Sequence, residues 1–222
     1  MGVRFLRWLF GVLFAILTKR TVTGEENLPY KGPYIVATNH LAIFDVALVF
    51  VSLGDIEITG WAGEKWQKHP VFGPLLRFGG GIFIQRGEVD RGALGAAVKW
   101  LKEGKIFGMA PEGTRSKTGS MQRAKLGVAY LAHMSGAPVV PLAITGTEKV
   151  GSAWKRLRRP LLTLRFGEPF HLPPIDEEDR SAGMRRAADE VMCRIAAMLP
   201  PEYRGVYADH PRLAELLSGS NA

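Results

Sequence analysis

The residues of this 222-residue chain with the clearest potential for chemistry are a histidine and an aspartate five positions apart. His40 follows the apolar run 34–38, and Asp45 falls in the first turn of a predicted helix. A histidine, with an ordinary pKa of about 6.5, can take a proton from a hydroxyl, and a carboxylate can accept its other ring N–H and fix the tautomer. Taken alone, the spacing favours a capping histidine and a solvated aspartate over a catalytic pair.

The sequence offers no protein nucleophile to accompany this pair. The pattern G-x-S-x-G is absent, and the single cysteine, Cys193, lies in an apolar helical stretch where packing is its expected role. One cysteine also excludes an internal disulfide. If His40 acts as a base, the hydroxyl that it activates must therefore belong to the substrate.

Two further segments combine glycine with arginine after an apolar run. Residues 111–116 read PEGTRS, residues 80–87 read GGIFIQRG, and Lys125 adds a cation after the first of these. Glycine lets a ligand approach the backbone closely, and free N–H groups beside an arginine suit a phosphate. In isolation, each segment is better explained as a polar turn or a solvated strand end.

Together, and in this order, the segments resemble the sequence blocks of the glycerolipid acyltransferases, most closely those of the 1-acylglycerol-3-phosphate (lysophosphatidic acid) acyltransferases. Asn39, His40 and Asp45 match N-H-x-x-x-x-D. Residues 81–86 match G-x-I-F-I-x-R, residues 111–116 match P-E-G-T-R-S, and residues 138–142 resemble a proline-bounded apolar strand. The chain departs from the family at Ala110 and Ala124, where a phenylalanine is common.

The resemblance implies the transfer of a fatty acyl group to the sn-2 hydroxyl of 1-acylglycerol 3-phosphate, giving phosphatidic acid. His40 would act as the general base, Asp45 would hold its imidazole, and the hydroxyl would attack the thioester of acyl-coenzyme A or acyl carrier protein directly. We therefore expect no cofactor and no metal. The positions implied to bind the substrate are Arg86, Glu112, Gly113, Thr114, Arg115 and Lys125. Of these, Glu112 has the wrong charge for a phosphate, so we expect it to position an arginine or the glycerol hydroxyl.

Other functions remain open on the residues alone. An acyltransferase for another acceptor, such as glycerol 3-phosphate, another lysophospholipid or a glycolipid, would carry the same blocks. A module that only binds anionic lipid or nucleic acid would explain the net charge of +8, which predicts an anionic partner without choosing one. The resemblance selects a membrane lipid surface and a phosphorylated acceptor over nucleic acid.

The N-terminal segment 1–18 is predicted to be a helix lying in a membrane interface. Its apolar run, residues 8–17, is flanked by basic residues and has about half of the roughly 20 residues needed to cross a bilayer. Apolar positions also fall on one helical stripe: Phe5, Trp8, Leu9, Val12, Leu13 and Ile16. We expect monotopic association with the cytoplasmic face of the cell membrane. An ordinary buried first helix is the alternative.

Two other clusters of basic and aromatic residues could each have one of two roles. The segment 154–159 reads WKRLRR and would either touch anionic headgroups or form a solvated loop. The residues Trp61, Lys65, Trp66 and Lys68 would either line the acyl pocket or belong to the core.

The elements that must position these residues alternate between strands and helices. Strands are predicted at 34–38, 82–84, 105–110, 139–144 and 161–166. Helices are predicted at 43–53, between the cap Asp90 and Gly104, at 124–134 and at 183–198. This order predicts a single-domain α/β fold with a mixed, largely parallel sheet flanked by helices. Ligands collect at strand ends in such sheets, so 39–40, 85–86 and 111–112 should share one edge.

Length and composition agree with one globular unit. The chain is 46% hydrophobic and 23% charged, which excludes a disordered protein. We predict an acyltransferase catalytic domain at 19–200, ended by Pro200 and Pro201. We expect the polar C-terminal tail, 201–222, to pack loosely or not at all.

Overall fold

The computed structural model describes residues 2–54, 56–70, 72–78, 80–85, 90–176 and 178–219. Its helices and strands follow one another as α1 (Gly2–Leu17), β1 (Lys19–Thr23), β2 (Tyr34–Thr38), α2 (Phe44–Ser52), β3 (Ile58–Gly63), α3 (Phe72–Phe78), β4 (Ile82–Ile84), α4 (Arg91–Lys102), β5 (Ile106–Met109), α5 (Gly127–Ser135), β6 (Val139–Thr145), α6 (Val150–Lys155), β7 (Leu161–Phe166), α7 (Arg180–Met198) and α8 (Pro211–Gly219). The predicted elements are all present, within a few residues of their predicted bounds.

The strands form one sheet in the order β1-β7-β6-β2-β5-β3-β4. The five strands from β6 to β4 in this order run parallel to one another. Strand β7 is antiparallel to β6, and β1 pairs parallel with β7. The predicted fold, a mixed and largely parallel sheet in a single domain, is confirmed.

Successive side chains of the central strands point to two different cores, as the pleat of a strand requires. Ile35 and Ala37 face a core built with α4, α5, α7 and α8. Tyr34 and Val36 face a second core built with α1, α2 and α6. Because β2 is covered on both faces, its five residues are all buried, and a near-continuous apolar run is the sequence that such a strand needs.

The C-terminal segment is packed against the domain, so the expectation of a loose tail is wrong. Tyr203, Tyr207 and Leu213 are buried, and α8 packs on α7. Backbone hydrogen bonds join Met121 to Tyr203 and to Val206. A polar composition misled the prediction because tyrosine buries a large ring while its hydroxyl still finds a partner.

Parallel strands bring the residues that follow them to one edge of the sheet. His40 follows β2, Glu112 follows β5, and Thr147 follows β6. Since β5, β2 and β6 are adjacent in the sheet, these three residues come from neighbouring strand ends. The predicted sharing of one edge by 39–40 and 111–112 is confirmed, and Arg86 lies outside the described residues.

Candidate active site

His40 and Asp45 form a hydrogen-bonded pair. The Nδ1 atom of His40 lies 2.8 Å from Oδ2 of Asp45, and the Asp45 side chain is almost completely buried. A proton on Nδ1 is the arrangement that an ionised carboxylate favours, and it leaves Nε2 as the nitrogen that can accept a proton. The His40 side chain is 15% exposed, so part of it reaches the surface. The geometry is that of a base with its orienting group, and a solvated aspartate is excluded.

The Asp45 carboxylate is held by backbone and side-chain donors as well as by the histidine. Its Oδ2 accepts the N–H groups of Leu41 and Ala42 at 2.7 and 2.9 Å. Its Oδ1 accepts the hydroxyl of Thr147, which reaches it from the end of β6. A carboxylate with donors on both oxygens is fixed in position. The position of Asp45 in the first turn of α2 adds a favourable interaction with the helix dipole.

Asn39 fixes the end of β2, directly before His40. Its side-chain amide donates to the carbonyl of Ile144 and accepts the N–H of Ile144, both at 2.8 Å. The fully buried amide thus replaces a backbone pair between β2 and β6. This pairing explains why an asparagine precedes the histidine, a role that we did not assign from the sequence.

The backbone of His40 is held on both sides by the loop after β5. Its N–H donates to Oε1 of Glu112 at 2.9 Å, and its carbonyl accepts the N–H of Ser116 at 2.7 Å. The other oxygen of Glu112 accepts the N–H of Gln122 at 2.9 Å. Glu112 therefore has backbone N–H groups as partners. Of the two roles that we expected, an arginine partner is not seen among the described residues, and a contact with the glycerol hydroxyl stays a prediction. Burial raises the pKa of its carboxyl to about 7, although the two N–H donors act in the opposite direction.

Gly113 and Lys125 are in close contact across the same loop. Gly113 has a φ of +68°, and a Cβ at this position would lie 3.0 Å from Cδ of Lys125. The backbone N–H of Lys125 donates to the carbonyl of Pro111 at 2.8 Å, which anchors the lysine beside the glycine. Glycine is needed here for its backbone conformation and for the space that the lysine side chain occupies.

The remaining predicted binding residues of this loop, Thr114 and Arg115, have exposed side chains, as does Lys125. Two cations thus sit at the surface of the loop that encloses His40. Their contact with a substrate phosphate stays a prediction.

Two other candidates have roles in packing. Cys193 is fully buried, and burial raises the pKa of its thiol to about 12, so it cannot serve as a thiolate. Trp61 packs edge-on against Phe107 with ring centres 5.1 Å apart, and its indole N–H donates to the carbonyl of Ala93. Trp61 therefore belongs to the border of the core with α4, one of the two alternatives that the sequence left open.

The fold and this site define a class of protein, the α/β enzymes with a histidine–aspartate base at the carboxyl ends of parallel strands. The chain belongs to the Acyltransferase family, whose model matches residues 19–145. This span contains the base and its orienting aspartate together with the PEGTRS loop.

Curated relatives include proteins named 1-acyl-sn-glycerol-3-phosphate acyltransferase. The protein from Bacillus subtilis is 27% identical over 172 residues, which cover 76% of this chain and 84% of the relative. The protein from Borreliella burgdorferi is 29% identical over 147 residues, covering 65% of this chain and 56% of the relative. A solved structure, the 1-acyl-sn-glycerophosphate acyltransferase from Thermotoga maritima, is 27% identical with a TM-score of 0.65, covering 85% of this chain and 79% of that one. The chain thus spans about half of one relative and most of the others.

Proposed function

We propose that this protein transfers a fatty acyl group from acyl-coenzyme A or acyl carrier protein to the sn-2 hydroxyl of 1-acylglycerol 3-phosphate. The product would be phosphatidic acid, an intermediate of phospholipid biosynthesis. The observation that carries the proposal is the pairing of His40 with a buried Asp45, next to the PEGTRS loop that binds the His40 backbone. The names of the similar proteins from Bacillus subtilis and Thermotoga maritima support the same acceptor.

In the proposed reaction His40 takes the proton of the acceptor hydroxyl on Nε2. The oxygen then attacks the thioester carbonyl carbon, and the new C–O bond forms as the C–S bond breaks. The thiol leaves with the proton from His40, which returns the imidazole to its neutral form. No acyl group is attached to the protein, in agreement with a single cysteine that is buried and protonated. Asp45 stabilises the imidazolium that forms during the attack.

The phosphate of the acceptor is proposed to bind Arg115 and Lys125, with Arg86, which follows β4 in the sequence, as a third cation. An arginine and a lysine around one phosphate would hold the glycerol backbone at a fixed distance from His40. Thr114 and the backbone of Gly113 would line the same site. In this proposal Glu112 acts from beneath the site, because its carboxylate connects the His40 backbone to that of Gln122.

The membrane is the proposed source of the acceptor, and α1 is the proposed anchor. Phe5, Trp8 and Ile16 are each about 60% exposed along this helix. Among the described residues, no helix is long and apolar enough to span a bilayer. A helix that leaves large apolar side chains uncovered on one stripe suits the interface, and we propose the cytoplasmic face of the cell membrane.

The transfer reaction is tested by incubating the protein with lysophosphatidic acid and radiolabelled oleoyl-coenzyme A and separating the lipids. Labelled phosphatidic acid is expected from the wild type, and His40→Ala should lower the rate by about 10²–10⁴-fold because a general base contributes this much. His133→Ala, at an exposed position on α5, is the matched control and should keep the rate. A His40→Ala protein that folds normally and keeps more than a few per cent of the activity would overturn the assignment.

The acceptor is tested with a panel of phosphorylated and phosphate-free hydroxyl lipids. Arg115→Ala should raise the KM for lysophosphatidic acid about tenfold or more and leave the KM for monoacylglycerol nearly unchanged. Lys117→Ala, another exposed cation on the same loop, should affect neither. An equal loss with both acceptors would remove the phosphate role of Arg115.

A further inference from the structure

The turn between α6 and β7 carries a leucine whose position the fold does not explain. This segment, Lys155–Arg158, is here called the basic turn; its side chains are all exposed, and Leu157 is 97% exposed. Leu157 also has a φ of +52°, in the left-handed region that glycine or asparagine adopts most readily. Leucine there gains no burial within the domain and strains the backbone. The residue is therefore suited to a contact outside the domain.

Both ends of the basic turn are fastened to the end of α1. The indole N–H of Trp154 donates to the carbonyl of Leu17 at 3.0 Å. The Nη2 atom of Arg159 donates to the carbonyls of Ala15 and Thr18 at 2.6 and 2.7 Å. The last carbonyls of a helix lack partners within the helix and favour a positive charge. Within segment 154–159, Trp154 and Arg159 thus bind protein, and the headgroup contact considered from the sequence falls to the basic turn between them.

The basic turn consequently lies beside exposed apolar residues of α1 and β7. Ile16 and Leu17, at the end of α1, are 61% and 37% exposed, and Leu161, at the start of β7, is 58% exposed. Lys19 pairs with Leu161 in the sheet, which brings β1 and β7 together at this point. Lys155, Arg156 and Arg158 add three exposed positive charges on the turn that leads into β7. An apolar centre with a basic rim complements an anionic lipid bilayer.

The basic turn is also close to the catalytic pair. Trp154 packs edge-on against Phe44 with ring centres 5.3 Å apart, and Phe44 directly precedes Asp45. On the other side, α6 follows closely after Thr147, whose hydroxyl is bonded to Asp45. With a rise of about 1.5 Å per residue, a helix of this size spans only about 9 Å. A bilayer touching the basic turn would therefore lie within a short distance of the dyad.

We propose that the basic turn is a second membrane contact, in which Leu157 enters an anionic lipid surface while Lys155, Arg156 and Arg158 bind its headgroups. With α1 it gives two fixed contacts, and two contacts define how the domain is turned relative to the bilayer. The purpose of this contact rests on the proposed function, because it would bring the site to a lipid acceptor. The contact itself can be measured without any reaction.

The contact is tested with a fluorescent label in the full chain. Because Cys193 is buried, Leu157→Cys provides one accessible thiol for an environment-sensitive fluorophore. Vesicles of equimolar phosphatidylglycerol and phosphatidylcholine should shift its emission to the blue, and lipids with a quencher on the acyl chain should reduce the signal. Tyr30→Cys, at a 93% exposed position in the β1–β2 connection, is the matched control and should not respond.

Three outcomes would overturn the proposal. The first is an unchanged label at position 157 under conditions in which a label at Phe5→Cys responds to the same vesicles. The second is an equal response at positions 157 and 30. The third is a response to a random-sequence DNA duplex without any response to the vesicles, with or without the quencher. This result would assign the basic turn to nucleic acid.

Two sets of variants separate the apolar from the electrostatic contribution. Leu157→Asn should leave the stability in solution equal or higher, because asparagine tolerates the backbone conformation, and should lower vesicle binding about tenfold. Replacing Lys155, Arg156 and Arg158 by glutamine should lower binding about fivefold for each charge, on anionic vesicles only. The control triple changes Lys31, Lys99 and Lys102, exposed cations elsewhere, and should have little effect. A variant of the basic turn that binds vesicles like the wild type contradicts the proposal.

These variants also keep the contact distinct from the catalytic function. With an acceptor dispersed in detergent micelles, the variants of the basic turn should react at the wild-type rate. If neither the wild type nor the variants had activity, the proposed reaction would be contradicted. The vesicle measurements would still test whether the basic turn binds the membrane.

Discussion

Thr147 donates its hydroxyl to Oδ1 of Asp45, across 102 positions of sequence. Among the described residues, the three other donors to this carboxylate, from His40, Leu41 and Ala42, all bind Oδ2. Thr147 is itself buried at the end of β6, so its hydroxyl is held in place. The orientation of the general base thus depends on a residue at the end of β6 as well as on the residues that follow β2.

Thr147→Val should therefore lower kcat about tenfold and leave the KM for the acceptor near its wild-type value. Valine keeps the shape and removes the donor, which leaves a buried carboxylate oxygen without its partner and costs about 1–3 kcal/mol of stability. Thr147→Ser keeps the hydroxyl and should restore both kcat and stability. Loss of stability with unchanged kcat would show that Thr147 serves the fold alone.

The stability of the protein should carry a pH dependence that comes from Glu112. Burial raises the pKa of this carboxyl from an ordinary value of 4.5 to about 7, so the folded protein binds its proton more tightly than the unfolded chain does. The resulting stabilisation is complete below about pH 4.5 and is lost as the pH rises to about 7. As the pH rises over this range, the unfolding free energy of the wild type should fall by roughly 3 kcal/mol relative to that of Glu112→Gln. Denaturant titrations of both proteins at several pH values measure it, and a constant difference would contradict the raised pKa.

The central strands could be predicted from the sequence, whereas two strands could not. Strands β2 and β6 are apolar runs because they are covered on both faces. Strand β1 reads KRTVT and is largely exposed at the sheet edge, so its sequence carries little pattern. Strand β3 contains Gly60, where a Cβ would lie 2.4 Å from the carbonyl oxygen of Gly108 on β5. This glycine weakens the local strand signal but permits the close approach that places β3 in the sheet.

The candidate site was predictable only as far as its residues occur in known blocks. His40 and Asp45 are close in sequence and match such a block, so their pairing was expected. The contact of Thr147 with Asp45 depends on β6 lying beside β2, a matter of strand order that local sequence does not encode. The partners of Glu112 are backbone N–H groups, which leave no trace in residue types. A polar residue shortly after a predicted strand was the one available signal for Thr147.

Gly113→Ala and Gly119→Ala separate backbone strain from the placement of Lys125. Both glycines have positive φ, at +68° and +79°, so alanine should cost each protein about 1 kcal/mol of stability. Only at Gly113 does the added Cβ meet Lys125, whereas nothing lies within 4 Å of a Cβ at Gly119. We expect Gly113→Ala to raise the KM for lysophosphatidic acid several-fold and Gly119→Ala to leave it unchanged. Equal KM values in the two variants would mean that Lys125 does not contribute to acceptor binding.

The Tyr207 hydroxyl connects the C-terminal segment to the residue preceding Lys125. It accepts the buried N–H of Ala124 and donates to Oδ1 of Asp189, both at 3.0 Å. Tyr207→Phe leaves the Ala124 N–H without a partner and should lower the unfolding free energy by about 1–3 kcal/mol. The KM for the acceptor should rise as well, since the backbone beside Lys125 loses a support.

Tyr203→Phe provides the comparison, because the Tyr203 hydroxyl donates to Glu148 at 2.7 Å, away from Lys125. Its loss should lower stability without raising the KM for the acceptor. Thermal unfolding and steady-state kinetics of the two variants measure both effects. If Tyr207→Phe keeps the wild-type stability and KM, the C-terminal segment is only a cover on α7. A rise in KM confined to Tyr207→Phe instead makes this segment part of the support for the substrate site, because the cation that meets the phosphate is then held in place from outside its own loop.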